Sequence, residues 1–401
     1  MEYKKLGDYC TVTSSKRIFA DQYVDSGVPF YRSREIIEKN NNSELSEPLF
    51  ISKEVYDNIK AKFGVPKKGD LLLTSVGTIG IPYIVKDECF YFKDGNLTWM
   101  KDFSEDLSSQ YLYFWISSRF GRDSLVSRCI GSSQSALTID ILKKYKIFLP
   151  DRTTQDKIVT VLSNYNCLIE INNKRIKALE QMAENLYKEW FVRFRFPCYE
   201  NAEFENGIPK GWVYTIVEDL SDILQRGISP DYDDEGELTV ISQKCIRQSI
   251  MDIKEARKQT KAFKPELNLC DGDTVICSTG TGTLGRVGQV YGTYPNTTFD
   301  SHVTLVRAKP TIGKHFLFWS LKSMQIWFMN MGIGSTNQQE LYRNTIRNAK
   351  VLIPKKQLMD EFERIIEPIH QNIILLRNKQ DNLIKQRDLL LPRLMSGKLE
   401  V

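Results

Sequence analysis

The sequence predicts an α+β fold in which two β-rich modules are separated by two long helices that pair as an antiparallel coiled coil. Three observations predict it. A set of short motifs recurs in the same order at an offset of 203 to 205 residues. Each copy closes on a proline, Pro150 and Pro354, after which the hydrophobic pattern turns helical. The length, 401 residues, exceeds what one ordinary core accommodates and suits two domains with connectors.

The repeat begins at Val65-Pro66-Lys67-Lys68-Gly69-Asp70-Leu71-Leu72-Leu73, which matches Asn268-Leu269-Cys270-Asp271-Gly272-Asp273-Thr274-Val275-Ile276. Both copies carry a Gly-Asp turn that feeds an apolar strand. Each strand runs into a loop of small residues, Ser75-Val76-Gly77-Thr78-Ile79-Gly80 in one copy and Gly280-Thr281-Gly282-Thr283-Leu284-Gly285 in the other. Phe114-Trp115 and Phe318-Trp319 follow, each in an aromatic segment compatible with a helix. Gly131-Ser132-Ser133-Gln134 then matches Gly334-Ser335-Thr336-Asn337. A last strand closes each module, Lys146-Ile147-Phe148-Leu149-Pro150 and Lys350-Val351-Leu352-Ile353-Pro354. The expected divisions are 1–150 and 197–354 for the modules, and 151–196 and 355–401 for the helical segments.

In the first helical segment a seam runs through Tyr165, Ile169, Asn172, Ile176, Leu179, Ala183, Leu186 and Trp190. The second runs through Ile366, Ile369, Ile373, Leu376, Gln380, Leu383, Arg387, Leu390 and Leu394. A sustained 3.5-residue period marks a coiled-coil seam, and each apolar stripe is too narrow to hold a helix alone. Asn172, Gln380 and Arg387 interrupt it, as tolerated imperfections or as register-setting positions. A helix of about 26 residues is about 39 Å long. That length approaches one turn of B-DNA, about 34–36 Å, so the expected molecule is a caliper holding two heads apart.

Composition narrows the function classes. The hydrophobic fraction of 41% and charged fraction of 26% are those of a soluble globular protein. No apolar run approaches a membrane span, and the start, MEYKKLGDYC, has no signal-peptide core, so a cytoplasmic location is expected. Eight cysteines without a CxxC pair read as reduced core residues and not as disulfides or zinc ligands. The net charge of +5 is too small to establish DNA binding by itself.

Catalytic material is sparse, so no catalytic residue and no metal site is expected. There is no Walker A motif, HExxH, nucleophile elbow or Asn/Asp-Pro-Pro-aromatic tetrapeptide. The three histidines are dispersed: His302 reads as a structural or surface residue, and His370, on the second helix, as solvated. Gly280, Gly282 and Gly285 satisfy GxGxxG. Arg286 to Tyr291 alternates like a strand and opens no helix, so the motif reads as a tight β–β turn whose amides approach a phosphate closely.

The two module exits carry a family resemblance. Leu186-Tyr187-Lys188-Glu189-Trp190-Phe191-Val192-Arg193-Phe194, followed by Gly207-Ile208-Pro209-Lys210-Gly211-Trp212, resembles the central conserved region of the DNA-specificity subunits of Type I restriction–modification systems. Arg387-Asp388-Leu389-Leu390-Leu391-Pro392-Arg393-Leu394-Met395-Ser396-Gly397-Lys398-Leu399 is similar to that family's C-terminal signature. The loop Gly131 to Gln134, before a strand ending in Leu149-Pro150, fits as well. The second copy departs slightly: Gln338 falls one place later, and Pro354 to Gln357 replaces the longer spacing Pro150 to Gln155.

The resemblance spans essentially the whole chain and implies a noncatalytic recognition subunit. Each module would be a target recognition domain reading one half of a bipartite site in double-stranded DNA. The helices would set the spacing and dock two methyltransferase subunits, with restriction (translocase/nuclease) subunits joining through the complex. No cofactor is expected in this chain; S-adenosylmethionine, ATP and magnesium would reside in the partners.

Base readout needs Arg, Lys, Asn or Gln at base edges, and positioning needs cations, hydroxyls and amides at phosphates. The candidates in the first module are Arg32, Arg34, Lys67, Lys68, Ser75, Arg128, Ser132, Ser133 and Gln134. In the second they are Arg226, Gln243, Lys244, Arg247, Thr281, Arg286, Ser335, Thr336 and Asn337. Tyr31-Arg32-Ser33-Arg34 and Ser242-Gln243-Lys244-Cys245 are expected to correspond. The alternatives are an enzyme with its own catalytic domain, for which motifs and length are lacking, and a coiled-coil interaction scaffold without sequence-specific DNA binding.

Overall fold

A computed structural model describes residues 3–40, 45–129, 136–247, 249–280, 282–334 and 339–399. The chain divides into two compact units, residues 1–170 with 380–401, and residues 171–379. Each unit therefore contains one β-rich module together with a stretch of both long helices. The strands that close the modules, Lys146–Phe148 and Lys350–Ile353, end just before the expected boundary prolines.

In the first unit a four-stranded antiparallel sheet runs in the order Thr11–Thr13, Leu97–Lys101, Leu71–Thr74, Pro82–Ile84. All four residues of Leu71–Thr74 are buried, which explains why the sequence there is a continuous apolar run and not an alternating one. A second sheet, in the order Tyr23–Val24, Leu49–Ile51, Val28–Tyr31, Tyr91–Phe92, ends in a parallel pair. Tyr111, Trp115, Leu71 and Leu73 share a core with Ile158 and Leu162 of the first long helix and Leu394 and Met395 of the second. The beginning of one helix thus meets the end of the other, as an antiparallel pair requires. Arg387 donates from Nη1 to Asn166 Oδ1 at 3.0 Å, so this seam interruption makes a hydrogen bond within the pair.

The second unit repeats the first sheet with the same strand order, Ser221–Arg226, Val303–Ala308, Thr274–Cys277, Val287–Gln289, and extends it to six strands. A three-stranded sheet, Arg257–Gln259, Leu238–Ile241, Thr297–Phe299, carries the corresponding parallel pair. Ile176, Ala183, Tyr187 and Trp190 join Phe362, Ile366, Ile369, Ile373 and Leu376 in one core with Phe316 and Trp319. Trp190 faces Phe362 at 6.0 Å between ring centroids, and Glu180 pairs with Arg377 at 3.3 Å, so the helices run antiparallel here too.

The long helices span Arg152–Tyr187 and Lys356–Met395, 36 and 40 residues, or about 54 and 60 Å at 1.5 Å per residue. The expected 26 residues and the match to one DNA turn are therefore corrected. The turns before Tyr165 bury Ile158, Val159 and Leu162 in the module core, so they follow the module's packing and not the seam period. Every expected seam position is buried or half-buried: Tyr165, Ile169, Asn172, Ile176, Leu179, Leu186, Trp190, Ile366, Ile369, Ile373, Leu376, Leu383 and Leu390. Asn172 is buried with its Nδ2 unpartnered among the described residues. The first helix closes in a π-helical turn, Lys188–Val192, that buries both Trp190 and Phe191. No described helix is long and apolar enough to cross a membrane.

The repeated Gly-Asp has a local cause. Gly69 and Gly272 hold φ of 92° and 84°, the left-handed region that glycine adopts without a Cβ clash. The following aspartate then caps its own turn: Lys67 N donates to Asp70 Oδ2, and Cys270 N to Asp273 Oδ2, at 2.9 and 2.8 Å. Each carboxylate also anchors a strand side chain, Trp99 Nε1 in the first copy and the Arg307 guanidinium in the second.

The glutamines after the boundary prolines are not equivalent. Gln155 is fully buried, accepting from Ser108 N and donating to Asp106 O and Pro150 O. Gln357 is exposed. Glu363 takes over its task by accepting from Phe316 N and His315 N at the start of helix Lys314–Ser323.

His370 is a correction. It is buried, it donates toward Asp271 Oδ1 at 2.7 Å, and its ring stacks on Tyr291 at 4.5 Å. The helix face bearing it packs on the module and does not meet water.

Candidate nucleic-acid interface

The small-residue loops lie where the strands Leu71–Thr74 and Thr274–Cys277 end. In the second module the chain returns after Thr274–Cys277 as Val287–Gln289, antiparallel to it. The GxGxxG is thus a β–β turn, as its flanking alternation indicated. Gly285 has no room for a Cβ, which would sit 2.6 Å from Met329 N. Gly280, at φ 102°, leaves space for the Gln243 amide, whose Nε2 would lie 2.9 Å from an added Cβ.

Around this turn the fold gathers residues from distant parts of the module. Thr279 Oγ1 contacts His302 Nδ1 at 2.6 Å and donates to Gln243 Oε1 at 3.2 Å. Arg226, at the end of Ser221–Arg226, pairs with Glu340. Arg286 Nη2 donates to Gly282 O at 2.6 Å and so braces the turn. Lys244 and Arg247 are exposed beside Gln243, with Arg247 Nε on Lys244 O at 3.2 Å. Burial raises the Asp300 carboxyl above the ordinary range; it accepts from His302 N at 2.9 Å. Thr281, Ser335, Thr336 and Asn337 lie outside the described residues. The flanks of that last loop meet at Ile333 and Glu340, and Glu340 also bridges Thr279.

The first module uses the same frame with other side chains. Ser75 N donates to Asn96 O, as Ser278 N does to His302 O, and Leu137 N caps Ser75 O, as Leu341 N caps Ser278 O. The buried pair Ser75 Oγ and Thr98 Oγ1 is matched by Ser278 and Thr304. This frame aligns Arg32-Ser33 with Ser242-Gln243, because Tyr31 and Ile241 hold equivalent places in the parallel pairs, accepting from Lys93 N and Asp300 N respectively. The expected correspondence of Tyr31 with Ser242 is thereby corrected by one residue.

Several first-module candidates have structural duties. Ser75 is buried and satisfied, which removes its hydroxyl from any surface contact. Arg32 neutralises the fully buried Glu35, with Nε on Oε1 at 3.0 Å and its backbone N on Oε2 at 2.7 Å. The Glu35 hydrogen bonds, together with its charge, hold the guanidinium above its ordinary pKa against the effect of burial. Arg34 is exposed and pairs with Glu38 and Glu47. Arg128 lies 5.8 Å over the Tyr145 ring. Lys67 and Lys68 precede Gly69-Asp70, at the opposite end of the strand from the loop. Ser132, Ser133 and Gln134 lie outside the described residues, and the flank Ala136 bridges Val76.

Two cations at the loop end were missed. Arg122 is exposed, with Cγ 3.5 Å from where a Gly80 Cβ would stand. Arg17 pairs with Asp94, the counterpart of Asp300. Neither lies in a repeated motif, and only the strand order reveals their position. Among the described residues no group of three or more His, Cys, Asp and Glu could hold a metal ion.

A β-rich module written twice, each copy gathering amide, hydroxyl and guanidinium groups at one sheet end and closed by a long helix, defines a duplicated recognition protein. Residues 1–181 match the family described as Type I restriction modification DNA specificity domain. The chain is 27% identical over 349 residues to the Type I restriction enzyme MjaIX specificity subunit of Methanocaldococcus jannaschii, covering 83% of this chain and 78% of that protein. It is 31% identical over 195 residues to a putative type I restriction enzyme specificity subunit of Haemophilus influenzae, 47% of each chain. The crystal structure of a Type I restriction–modification S subunit from M. genitalium shares the fold at a TM-score of 0.62 and 15% identity, covering 98% of this chain and 95% of that one. Residues 1–181 thus match a Type I restriction–modification DNA specificity domain, and the chain as a whole is similar to the specificity subunits of such systems.

Proposed function

We propose that this chain is the noncatalytic DNA-recognition subunit of a Type I restriction–modification complex, each module reading one half of a bipartite site in double-stranded DNA. The observation that carries the reading is the shared frame with unshared side chains. The backbone bonds of Ser75 and Asn96 recur at Ser278 and His302, whereas Ser33, Val76 and Asn96 give way to the half-buried Gln243 and Thr279 and the exposed His302 at the loop end. A conserved scaffold with exchanged donors and acceptors is what reading two different half-sites requires.

The remaining assignments belong to the same reading. The paired helices dock two methyltransferase subunits and set the separation of the half-sites, and restriction subunits join through that assembly in the cytoplasm. S-adenosylmethionine, ATP and magnesium are held by those partners, where methyl transfer and ATP-dependent cleavage occur. A scaffold without DNA would need only the helices, and the family match covers the first module entirely.

The net charge of +5 leaves little long-range attraction for a duplex. Gel shifts at physiological salt test the reading. The chain alone is expected to bind weakly, and the assembly with methyltransferase subunits tightly and with sequence preference. An assembly that binds every duplex alike overturns it.

A further inference from the structure

The second module carries a three-residue relay that the first lacks. The Thr279 hydroxyl sits between His302 Nδ1, 2.6 Å away, and Gln243 Oε1, 3.2 Å away. A hydroxyl has one hydrogen, and a carbonyl oxygen only accepts. Thr279 therefore spends its hydrogen on Gln243 and accepts from His302, which fixes the imidazole proton on Nδ1. Two consequences reach the surface. His302 is exposed and presents Nε2 as a hydrogen-bond acceptor. Gln243 is turned so that its amide Nε2 is a donor, in the space that Gly280 leaves open.

We propose that Gln243 and His302 form an adenine-reading pair, with Thr279 as the positioning residue that sets the polarity of both. Adenine presents N7, an acceptor, beside its N6 amino group, a donor, in the major groove. Gln243 Nε2 donates to N7 and His302 Nε2 accepts from the amino group. Guanine presents two acceptors on the same edge, and its O6 opposes the His302 lone pair. The equivalent positions of the first module are Ser33, Val76 and Asn96. Val76 has no hydroxyl, so this readout belongs to the second half-site alone. The inference rests on the recognition reading above and names the base chemistry of one of its sites.

The test uses the full chain co-expressed with its methyltransferase partners in a host without adenine methylation, followed by sequencing of the methylated motifs. Thr279→Val is expected to lower the preference for adenine over guanine about tenfold or more at one position of one half-site, with the other half-site unchanged. Thr279→Ser keeps the hydroxyl and is expected to restore it. Nitrogen-15 spectra of the full chain are expected to show His302 protonated on Nδ1 in the wild type and Thr279→Ser, and to lose that signature in Thr279→Val. If Thr279→Val abolishes methylation, gel shifts of the assembled complex with adenine or guanine at each half-site position read the same discrimination. An unchanged motif in Thr279→Val, a change confined to the other half-site, or a wild-type His302 protonated on Nε2 overturns the inference while leaving the recognition reading standing. A wild-type chain that directs no bipartite methylation overturns both.

Discussion

His370 Nε2 lies 2.7 Å from Asp271 Oδ1, joining the second long helix to the turn that begins the central strand of its module. Asp271 also accepts from Lys314 Nζ at 2.7 Å and Gly292 N at 2.8 Å. Burial opposes its ionisation, yet the His370 and Lys314 hydrogen bonds hold the carboxyl well below its usual range. The helix is therefore fastened to the module by a charge-assisted network as well as by apolar packing.

Removing one partner of a buried, charge-assisted bond leaves the other unsatisfied. His370→Leu is expected to cost about 1–3 kcal/mol, and Asp271→Ala more, because it strands both His370 and Lys314. Urea denaturation of the full chain measures both. Equal stability for His370→Leu and the wild type would show that stacking on Tyr291 alone holds the histidine.

Two buried groups near this network titrate in opposite senses. Burial pushes the Glu363 carboxyl up to about 7 and the His315 imidazole down to about 4. The Glu363 contribution is present below the ordinary carboxyl pKa of 4.5 and is lost as pH rises toward 7. The His315 contribution is present above 6.5 and is lost as pH falls toward 4. Each amounts to about 1.4 kcal/mol per pH unit of displacement, so the slopes oppose one another between pH 4.5 and 6.5. Glu363→Gln is expected to make stability climb with pH across that window, and His315→Gln to make it fall. Hydrogen exchange in helix Lys314–Ser323 follows this locally, and identical pH profiles for the two variants would refute it.

The two Gly-Asp turns should respond unequally. Asp70→Ala removes a turn cap and one neutral Trp99 donor, at about 1–2 kcal/mol. Asp273→Ala also strips the Arg307 guanidinium of both carboxylate bonds, 2.8 and 2.7 Å, at about 3 kcal/mol or more. Thermal denaturation of the two variants compares them, and equal losses would mean that Arg307 finds another partner.

Where one residue type forces one local geometry, the sequence was readable. Gly69 and Gly272 supplied positive φ, their aspartates capped the same turn, and the period of the seam marked its inward face from Tyr165 to Trp190. Where a role depends on a distant neighbour it was not. Arg32 and Ser75 have the chemistry of DNA contacts, but Glu35 and Thr98, brought in by the fold, occupy them. His370 resembles a solvated helix residue until Asp271 and Tyr291 cover it. Gln357 copies the residue type of Gln155, while Glu363, a turn and a half further on, reaches the helix start that the role requires. The relay of Gln243, Thr279 and His302 draws on three separate segments and leaves no local pattern.

The central claim is that each module reads its own half of the target. Replacing residues 197–354 with the second module of a relative, and sequencing the methylome of a host carrying the complete system, tests it most directly. The account predicts a new second half-site beside an unaltered first one. A motif that changes in both halves, or in neither, would contradict it.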